Sequence, residues 1–504
     1  MKFGFLFGAG AEIGYGLPSG GQFALDIFRY DTTRSKEKFK VMRDKVDKSY
    51  PYAANWLPDN FDTKNISSFG KSVFQNIIKD TVEHNRRKIV ENLNAFDEVA
   101  KVQVAKMRKM GVDIDNIFQK VIGRSVDNVN MSSNVKFIDE FKQGNGLFGN
   151  SYFSALLLAY KKKTVFNGEQ RNELGKIILS IIQLQVGALS EELTRKINDS
   201  LFSRKDDEID IFDDIGEIIQ LNYSASGLSG MEYLLEQRKA DIKTDENCIL
   251  RFAQLIIEDI YGAVMDYKSL IDANWHYLYS PHSDWAKFCK ISIFLLTVQE
   301  YITEQAKKID IKSKTDGYYH VLKNAVDNNE YEISAVATTN YNKFIAEILK
   351  CNIAYLNGST ETWYDPYLNR LGEHSELETE ENHILVPLMF TQSGTKPMTS
   401  INMSICYVET YNEWKASDAI VVVGFGFGTD DEHINGILRT LIDIEDKKMI
   451  VVTLGSGENE DHMVKMIAGK LKVSKNSNIK ILQVDKNGKV CGKGISWSEV
   501  IKKL

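Results

Sequence analysis

Closely spaced cysteines are missing from this 504-residue chain. Its five cysteines stand far apart, and no two have the C-x-x-C spacing: Cys248, Cys289, Cys351, Cys406 and Cys491. A thiolate zinc site needs ligands held close together, so we expect neither a zinc ribbon nor any other metal. An acidic run at 206–214 lacks EF-hand spacing and is expected to be a solvated helix face. The odd number and wide spacing of the cysteines suit a reducing compartment, which predicts a cytoplasmic protein.

Long apolar runs and an excess of basic residues are also missing. No stretch reaches the roughly 18 residues of a membrane span, and the N-terminal apolar run is too short for a signal peptide. The chain has 62 basic and 69 acidic residues, a net charge of −7. This balance is unlike that of a duplex-DNA binder, although a local basic patch would not appear in the totals. We expect no membrane association and leave nucleic-acid binding open.

Proline is scarce, with seven in the chain and none between Pro58 and Pro281. Because proline breaks helices, a proline-free stretch of this length permits long uninterrupted ones. Apolar residues recur there at the i, i+3, i+4, i+7 spacing of core-facing helices. We predict that residues 66–330 are mostly helical and that residues 31–65 are irregular.

Short apolar runs of a different kind begin near residue 333. Several are continuous and not alternating, as in strands buried on both faces of a parallel sheet. They lie at 333–337, 353–356, 384–388, 419–423, 449–454 and 479–484. Helical patterns fall between them, at 342–349, 404–416, 432–442 and 459–471. The alternation predicts an α/β fold with a doubly wound parallel sheet.

A glycine-rich loop follows the first apolar run of the chain, residues 3–7. Gly8 and Gly10 come directly after this run, and an amphipathic run, 22–29, follows the loop. This is the layout of a nucleotide site, where a strand ends, the backbone turns and main-chain N–H groups face a phosphate. Because Gly14 departs from the usual G-x-G-x-x-G spacing, an ordinary turn is the alternative.

The glycine loop and its strand need partner strands, and the runs that can pair with them lie after residue 330. We therefore predict one discontinuous Rossmann-like domain formed by residues 1–35 and 331–504. Residues 36–330 are then a large all-helical insertion. It would include a small lobe that closes on the nucleotide bound at the glycine loop, and a region for oligomerisation or regulation.

Gly8-Ala9-Gly10, followed after five residues by Gly16-Leu17-Pro18, resembles the first motif of the sirtuin family. In sirtuins, G-A-G binds the NAD⁺ pyrophosphate and G-I-P introduces a loop that closes over the nicotinamide end. The resemblance implies that this stretch binds the cofactor through Gly8, Ala9, Gly10, Glu12, Gly16, Leu17, Pro18 and Ser19. Ser19-Gly20-Gly21 replaces the D-F-R of deacylases. That departure is common in sirtuin-like bacterial defence proteins, which look like NAD⁺-consuming enzymes.

A second stretch, Thr338-Thr339-Asn340-Tyr341-Asn342, resembles the sirtuin T-Q-N-I-D motif. In that family the Asn orients a water or the substrate at C1′ of the ribose, which makes Asn340 the candidate catalytic residue. The resemblance gives Thr338, Thr339 and Asn342 to the cofactor, with Asn342 in place of the family's Asp. The alternative is that Thr-Thr-Asn only caps the helix that follows.

Leu356-Asn357-Gly358-Ser359 stands where sirtuins have L-H-G, whose histidine is the general base. Asn357 cannot take a proton at neutral pH, because an amide does not titrate there. We expect Asn357 to serve the reaction by holding the ribose hydroxyls, with Gly358 and Ser359 beside the cofactor. A plain turn is the alternative, since Asn-Gly is a common turn dipeptide.

Gly424-Phe425-Gly426 resembles the sirtuin G-T-S motif, which contacts the nicotinamide ribose and the phosphates. Gly426 replaces the Ser of that motif, so only backbone contacts carry over. Gly455 and Ser456 correspond to the loop beside the adenosine ribose, with a plain strand-to-helix turn as the alternative.

The string that contains His433, Asp430-Asp431-Glu432-His433-Ile434-Asn435, resembles a D-x-H-I-N string of sirtuin-like defence proteins. His433 is therefore a rival to Asn357, because it would supply a titrating base from the loop after 419–423. The alternative is a histidine on a helix surface.

The resemblance implies an NAD⁺ glycohydrolase that cleaves NAD⁺, as its substrate, to nicotinamide and ADP-ribose. The expected role is antiphage defence, by abortive infection through NAD⁺ depletion. Relatives of this kind form homo-oligomers or act with a HerA-type ATPase or another sensor, so an oligomer and a HerA-type or phage-derived activator are the expected partners. Two alternatives stay open. One is a non-catalytic sensor of NAD⁺ or ADP-ribose, which Asn357 favours; the other is a nucleic-acid-processing subunit of a HerA-type complex, against which the acidic charge balance argues.

Overall fold

The computed structural model describes most of the chain: residues 1–18, 20–69, 85–130, 146–162, 164–189, 230, 233–235, 239–263, 274–389, 400–455, 457–485 and 488–503. Two predicted site residues, Ser19 and Ser456, and the acidic run at 206–214 lie outside the described residues.

Nine strands are present in the described part of the chain. They are β1 (Lys2–Phe7), β2 (Glu332–Thr338), β3 (Ile353–Tyr355), β4 (Gly358–Asp365), β5 (Arg370–Gly372), β6 (Val386–Met389), β7 (Ala419–Val423), β8 (Lys448–Leu454) and β9 (Ile479–Val484). The α-helices span Gly10–Ile13, Gly20–Arg29, Thr33–Lys45, Pro51–Trp56, Arg86–Asn94, Phe96–Lys109, Ile114–Ile122, Ser151–Lys161, Gly168–Leu189, Asp245–Gly262, Trp285–Lys307, Tyr318–Asp327, Phe344–Leu349, His374–Leu377, Ile401–Lys415, Glu432–Asp443, Glu460–Leu471 and Trp497–Ile501.

Six strands form one parallel sheet in the order β3-β2-β1-β7-β8-β9. β1 lies in the middle, and its last residue, Phe7, pairs with Thr338 on one side and with Val423 on the other. Because all pairings in this sheet are parallel, the carboxyl ends of the strands lie along one edge. The predicted α/β fold with a parallel sheet is confirmed.

Alternate residues of each strand point to opposite faces of the parallel sheet. Both faces are apolar, and helices cover both of them. Phe3, Phe5 and Phe7 pack into a core with the helices Tyr318–Asp327 and Trp497–Ile501. Leu6 packs into a second core. That core contains Trp414, whose indole lies so close to Gly4 that a Cβ there would overlap it.

A smaller antiparallel sheet has the order β5-β4-β6. It contains the apolar run at 384–388, which forms β6 there and not in the parallel sheet. Pro387 in β6 lies opposite Trp363 of β4; it has no N–H to donate, a deficit that a strand at the edge of a sheet tolerates. At the start of β4, Gly358 has φ +79° and lies against the carbonyl of Leu388, where a Cβ would overlap.

The chain divides into two compact units. One contains the described residues of Met1–Ser19, Tyr30–Phe69 and Tyr267–Leu504, with both sheets. The other contains those of Gly20–Arg29 and Gly70–Asp266, and its described elements are helical. These limits differ from the predicted ones, 1–35 with 331–504 and 36–330. The predicted limits are those of a domain implied by the resemblance to a family, whereas the observed limits are those of compact units. The predicted domain division therefore stays a prediction.

The helical unit is built around Asp245–Gly262, which is buried along most of its length. Phe252 packs edge-on against Phe118 at 5.8 Å between ring centroids. Glu258 is buried and pairs with Arg29 at 3.2 Å. The helical spacing read from the sequence therefore corresponds to a helix that faces other helices on several sides.

Residues 31–65 contain two helices, so the prediction of an irregular segment is wrong. Thr33–Lys45 is highly charged and offers one large apolar residue to the core, Phe39, which is fully buried. Ser35 is buried too and donates to Glu300 at 3.1 Å. Pro51 opens the second helix at its first turn, where a missing N–H costs nothing. The low apolar content and the proline concealed both helices.

No helix in the described ranges is both long enough and apolar enough to cross a membrane.

Candidate functional site

The predicted motifs gather at the carboxyl edge of the parallel sheet. Each of the loops after β1, β2, β3, β7 and β8 carries one of them. The paired residues Thr338 and Tyr355 end β2 and β3, and Asn340 and Asn357 each follow two residues later. Since ligands of open α/β sheets bind outside the carboxyl ends of the strands, this edge is the candidate site.

The glycine loops after β1 and β7 are in direct backbone contact. Gly8 N–H donates to Val423 O and Gly10 N–H to Gly424 O, both at 2.9 Å. A Cβ on Gly8 would lie 2.6 Å from the Gly424 oxygen, and Gly424 itself has φ +64°. The glycines are therefore required by the approach of the two loops. Their N–H groups are already donated within the protein.

The remainder of the first motif forms a short helix and a turn. Ala9 precedes the helix Gly10–Ile13, and Gly16 turns the chain with φ +103°. Leu17 packs against the core that contains Phe3, Phe5 and Phe7, and Pro18 is half-buried. The Lys314 ammonium donates to the carbonyls of Gly14 and Tyr15 at 3.2 and 2.7 Å, which holds the turn in place.

Asn340 lies against the glycine loop. Its side-chain amide Nδ2 donates to the Gly8 carbonyl at 3.0 Å and to the Tyr319 hydroxyl at 3.1 Å. Its main-chain N–H donates to Thr338 Oγ1 at 3.0 Å, and that hydroxyl donates to Phe7 O at 3.1 Å. Asn340 is 5% exposed, and these bonds fix its side chain at the end of β2. Thr339 N–H also donates to Phe7 O, at 3.0 Å.

Asn342 makes two contacts of different kinds. Its Oδ1 accepts the N–H of Phe344 at 2.9 Å, which starts the helix Phe344–Leu349. Its Nδ2 donates to the carboxylate of Glu12. The N-cap of this helix is Lys343, and no side chain caps it. One end of the Asn342 amide therefore makes a local turn before the helix, and the other end belongs to the candidate site.

Glu12 is a buried acid in the loop, 4% exposed. Its Oε1 accepts the hydroxyl of Tyr319 at 2.8 Å, opposite the contact with Asn342. Burial raises the pKa of Glu12 to about 7, and the hydrogen bonds from Tyr319, Asn342 and Asn340 offset only part of this rise. Among the described residues Glu12 has no salt-bridge partner.

Tyr319 and Tyr15 complete this cluster, and neither was singled out from the sequence. Their rings stack at 5.2 Å between centroids. The Tyr15 hydroxyl accepts the N–H of Tyr319 at 3.0 Å and lies 3.1 Å from Nδ1 of His320. Burial raises the pKa of Tyr319 well above its ordinary value. Some 300 residues separate these positions in sequence, and no local motif marks Tyr319.

Asn357 lies beside His433. Asn357 is 1% exposed, and its Oδ1 is 3.1 Å from Nε2 of His433. His433 is in the first turn of Glu432–Asp443 and is half-buried; its ring meets that of Tyr407 edge-on at 5.7 Å. The Tyr407 hydroxyl donates to Leu356 O at 2.7 Å. The structure thus brings together the two residues that the sequence presented as rivals.

The hydroxyl of Ser359 is engaged within its own turn. It lies 2.7 Å from Thr362 Oγ1 and accepts the N–H groups of Glu361 and Thr362. Ser359 and Gly358 remain predicted cofactor contacts.

The β7 and β8 loops differ in the space around their glycines. A Cβ on Gly426 would meet no atom within 4 Å, whereas one on Gly455 would lie 2.8 Å from Cys491 Sγ. Phe425 and Phe427 are buried on either side of Gly426, with their rings 5.1 Å apart. The chain therefore has room at position 426 for the hydroxyl that the sirtuin motif carries.

Among the residues that the structure describes, no cluster of three or more His, Cys, Asp or Glu side chains could hold a metal ion. The five cysteines are free thiols, with Cys248 and Cys289 buried.

Comparison with protein-family models, with curated proteins and with solved structures found no match to this chain. The function is therefore inferred from the motifs and from the geometry of the candidate site.

Proposed function

We propose that this chain is a sirtuin-like NAD⁺ glycohydrolase with a Rossmann-like nucleotide-binding sheet. It cleaves the bond between nicotinamide and C1′ of the ribose. Water adds at C1′, nicotinamide leaves with the bonding electrons, and one proton is released with ADP-ribose. No metal takes part in this proposal.

The observation that carries the proposal is the hydrogen bond from Asn340 Nδ2 to the Gly8 carbonyl, at 3.0 Å. The two motifs that resemble sirtuins are more than 300 residues apart in sequence, and the resemblance requires them to meet at one site. A chance match to either motif would not bring the candidate catalytic amide against the candidate dinucleotide loop.

The strand order supports the same assignment. Counted along the parallel sheet alone, the order β3-β2-β1-β7-β8-β9 is 3-2-1-4-5-6, that of the dinucleotide-binding doubly wound fold. The order reverses between β1 and β7, and the glycine loops that follow these two strands carry the first motif and the G-F-G motif. A topological switch point is where such folds bind their ligands.

The cleavage of NAD⁺ requires few catalytic groups from the protein. Nicotinamide is a neutral leaving group from a cationic ring, so no acid is needed to expel it. The positively charged ribosyl centre then requires a positioned water and exclusion of bulk solvent. Asn340 is the residue assigned to position that water.

Sirtuins have a histidine where this chain has Asn357, and here the imidazole of His433 lies next to that amide. With the amide oriented as it lies, Nε2 of His433 donates to Asn357 Oδ1 and Nδ1 is the basic nitrogen of the neutral ring. We assign His433 to take up a proton and Asn357 to orient its ring and the ribose hydroxyls.

The biological role follows the resemblance. We propose a cytoplasmic antiphage protein that depletes NAD⁺, acts as a homo-oligomer and is switched on by a HerA-type ATPase or a phage-derived activator.

The function is tested by incubating the purified chain with NAD⁺, alone and with candidate activators, and measuring nicotinamide release by chromatography. Asn340→Ala should abolish release without unfolding the protein. Asn412→Ala, an exposed position on Ile401–Lys415, is the matched control and should behave like wild type. Near-wild-type turnover by Asn340→Ala would reject Asn340 as the reaction centre.

A non-catalytic sensor of NAD⁺ or ADP-ribose is the second candidate. It is favoured by Asn357, because an amide stands where the resemblance places the general base, and an amide does not titrate near neutral pH. Tight binding of NAD⁺ by calorimetry, with no nicotinamide released under any activating condition, would select the sensor.

A further inference from the structure

The carboxyl group of Glu12 has an unusual setting for an acid. It is buried, it has no salt-bridge partner among the described residues, and its contacts come from the Tyr319 hydroxyl and the side-chain amides of Asn342 and Asn340. Removing a carboxylate from water without a cation is costly. Acids in such settings occur more often at functional sites than in ordinary cores.

The chemistry of these groups fixes the direction of each hydrogen bond. An ionised carboxylate only accepts, so Tyr319 must donate its hydroxyl hydrogen to Glu12. The Tyr319 oxygen is then an acceptor, and it receives Nδ2 of Asn340. Nδ2 also donates to the Gly8 carbonyl, and it interacts directly with the Glu12 carboxylate. Nitrogen and oxygen of this amide are therefore distinguished by the network, with Oδ1 on the side away from these partners.

Asn342 shows why the acid is at position 12. The sirtuin motif has a carboxylate where this chain has Asn342, and the amide of Asn342 donates to Glu12. A carboxylate at 342 would face Glu12 as a like charge, which is unfavourable at this distance. The chain therefore has one carboxylate paired with one amide at this place, and the carboxylate belongs to Glu12 in the loop after β1.

We propose that Glu12 is a positioning residue for the proposed NAD⁺ cleavage: through Tyr319 it holds the Asn340 amide with its oxygen turned toward the reacting ribose and water. The proposal rests on the proposed function, since it takes Asn340 as the reaction centre. The ionised acid is the working form. When Glu12 binds a proton it becomes a donor itself, the direction of the Tyr319 bond is no longer fixed, and the Asn340 amide is held by the Gly8 carbonyl alone.

Other titratable groups near Glu12 do not compete for this role. The groups that interact with its charge are Tyr15 next to its own helix, Tyr319 on Tyr318–Asp327 and Tyr355 at the end of β3. Burial raises the pKa of each of these tyrosines, so all three are neutral at physiological pH. Glu12 is the group among them that titrates near neutrality.

The kinetic test compares Glu12→Gln, Tyr319→Phe and the double variant E12Q/N342D with wild type, using NAD⁺ and measuring kcat and KM from pH 5.5 to 9. The wild-type kcat should fall as the pH drops through about 7. In Glu12→Gln the new amide nitrogen faces the amide nitrogen of Asn342, and kcat should fall about 10- to 100-fold. The step near pH 7 that wild type and His433→Ala share should disappear, whereas a step that comes from the His433 base should remain. Tyr319→Phe should do the same, with KM changed less than kcat.

The double variant and a control substitution at another buried tyrosine distinguish a positioning role of Glu12 from a purely structural role. In E12Q/N342D the oxygen of the introduced glutamine amide accepts from Tyr319 and its nitrogen donates to the new carboxylate, so most of kcat should return. Tyr331→Phe removes another buried hydroxyl, bonded to Ser498 at 2.9 Å, and should leave kcat unchanged. Wild-type kcat with the same pH step in Glu12→Gln, or no recovery in the double variant, would overturn the proposal.

A second readout does not depend on turnover. In protein labelled with ¹⁵N-asparagine, the side-chain signals of Asn340 should shift with a midpoint near pH 7, and this step should disappear in Glu12→Gln and in Tyr319→Phe. Signals that do not respond to pH in wild type would reject the positioning chain. A wild-type protein that shows the step but releases no nicotinamide would instead reject the proposed function alone.

Discussion

The side-chain oxygen of Asn357 lies 3.1 Å from Nε2 of His433. These residues are 76 positions apart and belong to different loops of the sheet edge. From the sequence they were alternatives for one role, an amide that positions or an imidazole that titrates. Their contact makes them complementary, because the amide can orient the ring while the ring takes a proton.

Removal of the imidazole should therefore lower the rate. We expect His433→Ala to reduce kcat for NAD⁺ cleavage about 100-fold, the usual size of a general-base contribution. His462, an exposed histidine on Glu460–Leu471, gives the control, and His462→Ala should retain wild-type kcat. An unchanged kcat in His433→Ala would return the histidine to a surface role.

Glu12 predicts a specific dependence of stability on pH. Its folded pKa of about 7 is above the ordinary value of 4.5, so the folded state binds the proton more tightly than the unfolded state. The stability that this provides is full below pH 4.5 and is lost as the pH rises through about 7. The loss amounts to about 3 kcal/mol.

Chemical denaturation of Glu12→Gln at pH 5 and pH 8 checks this. Relative to wild type, the variant should gain about 2.5 kcal/mol of unfolding free energy between the two pH values. Glu361→Gln, at an exposed position, should show no such gain. A difference between Glu12→Gln and wild type that is independent of pH would contradict the raised pKa.

Two neighbouring glycines should respond in opposite ways to the same substitution. Gly424→Ala introduces a Cβ at φ +64° against the backbone of Gly10 and Ala11, and we expect a loss of more than about 2 kcal/mol of unfolding free energy. Gly426→Ala meets open space and should be neutral or stabilise by up to about 1 kcal/mol. Equal effects in urea denaturation would mean that the two loops do not pack as described.

A buried ion pair outside the candidate site offers a further test. His383 Nδ1 lies 2.7 Å from Asp365 Oδ2, and both side chains are almost fully buried. Burial opposes the charge on the ring, but the hydrogen bonds and charges of Asp365 and Glu381 outweigh it and raise the pKa of His383. The ion pair therefore contributes fully below pH 6.5 and loses this contribution as the pH rises through the raised pKa.

Asp365→Asn keeps the shape of the side chain and removes its charge. At pH 6 it should cost about 3 kcal/mol, because it leaves the buried, charged histidine with Glu381 as its remaining carboxylate partner, 3.3 Å from Nε2, and the cost should be smaller at pH 9. Asp327→Asn breaks the exposed pair with Lys323 and should cost at most about 1 kcal/mol. Similar costs for both substitutions would argue against a charged His383.

The parallel sheet could be predicted because its strands are buried on both faces. The apolar runs at 419–423, 449–454 and 479–484 became β7, β8 and β9 with nearly the same limits. The small antiparallel sheet was missed, because the pairing of β4 with β6 depends on Gly358 meeting Leu388 in space. Sequence patterns report burial and periodicity, and they carry no information on such distant pairings.

The candidate site divides in the same way. Gly8, Asn340, Asn357 and His433 could be named because they belong to contiguous motifs. Tyr319 could not, since it matters only through two hydrogen bonds to residues far away in sequence. The acid at Glu12 was assigned to the cofactor from its place in a motif, and its contact with Asn342 became visible only in three dimensions.

The central position of β1 has a consequence for the order of assembly. The ribosome makes this strand long before its two neighbours, β2 and β7, which begin at residues 332 and 419. During synthesis the apolar segment Phe3–Phe7 must therefore remain unpaired until most of the chain has emerged. Closing so long a loop makes folding slow. The nascent chain should thus depend on chaperones to shield its first strand, and a truncation after β6 would leave that strand with one edge open.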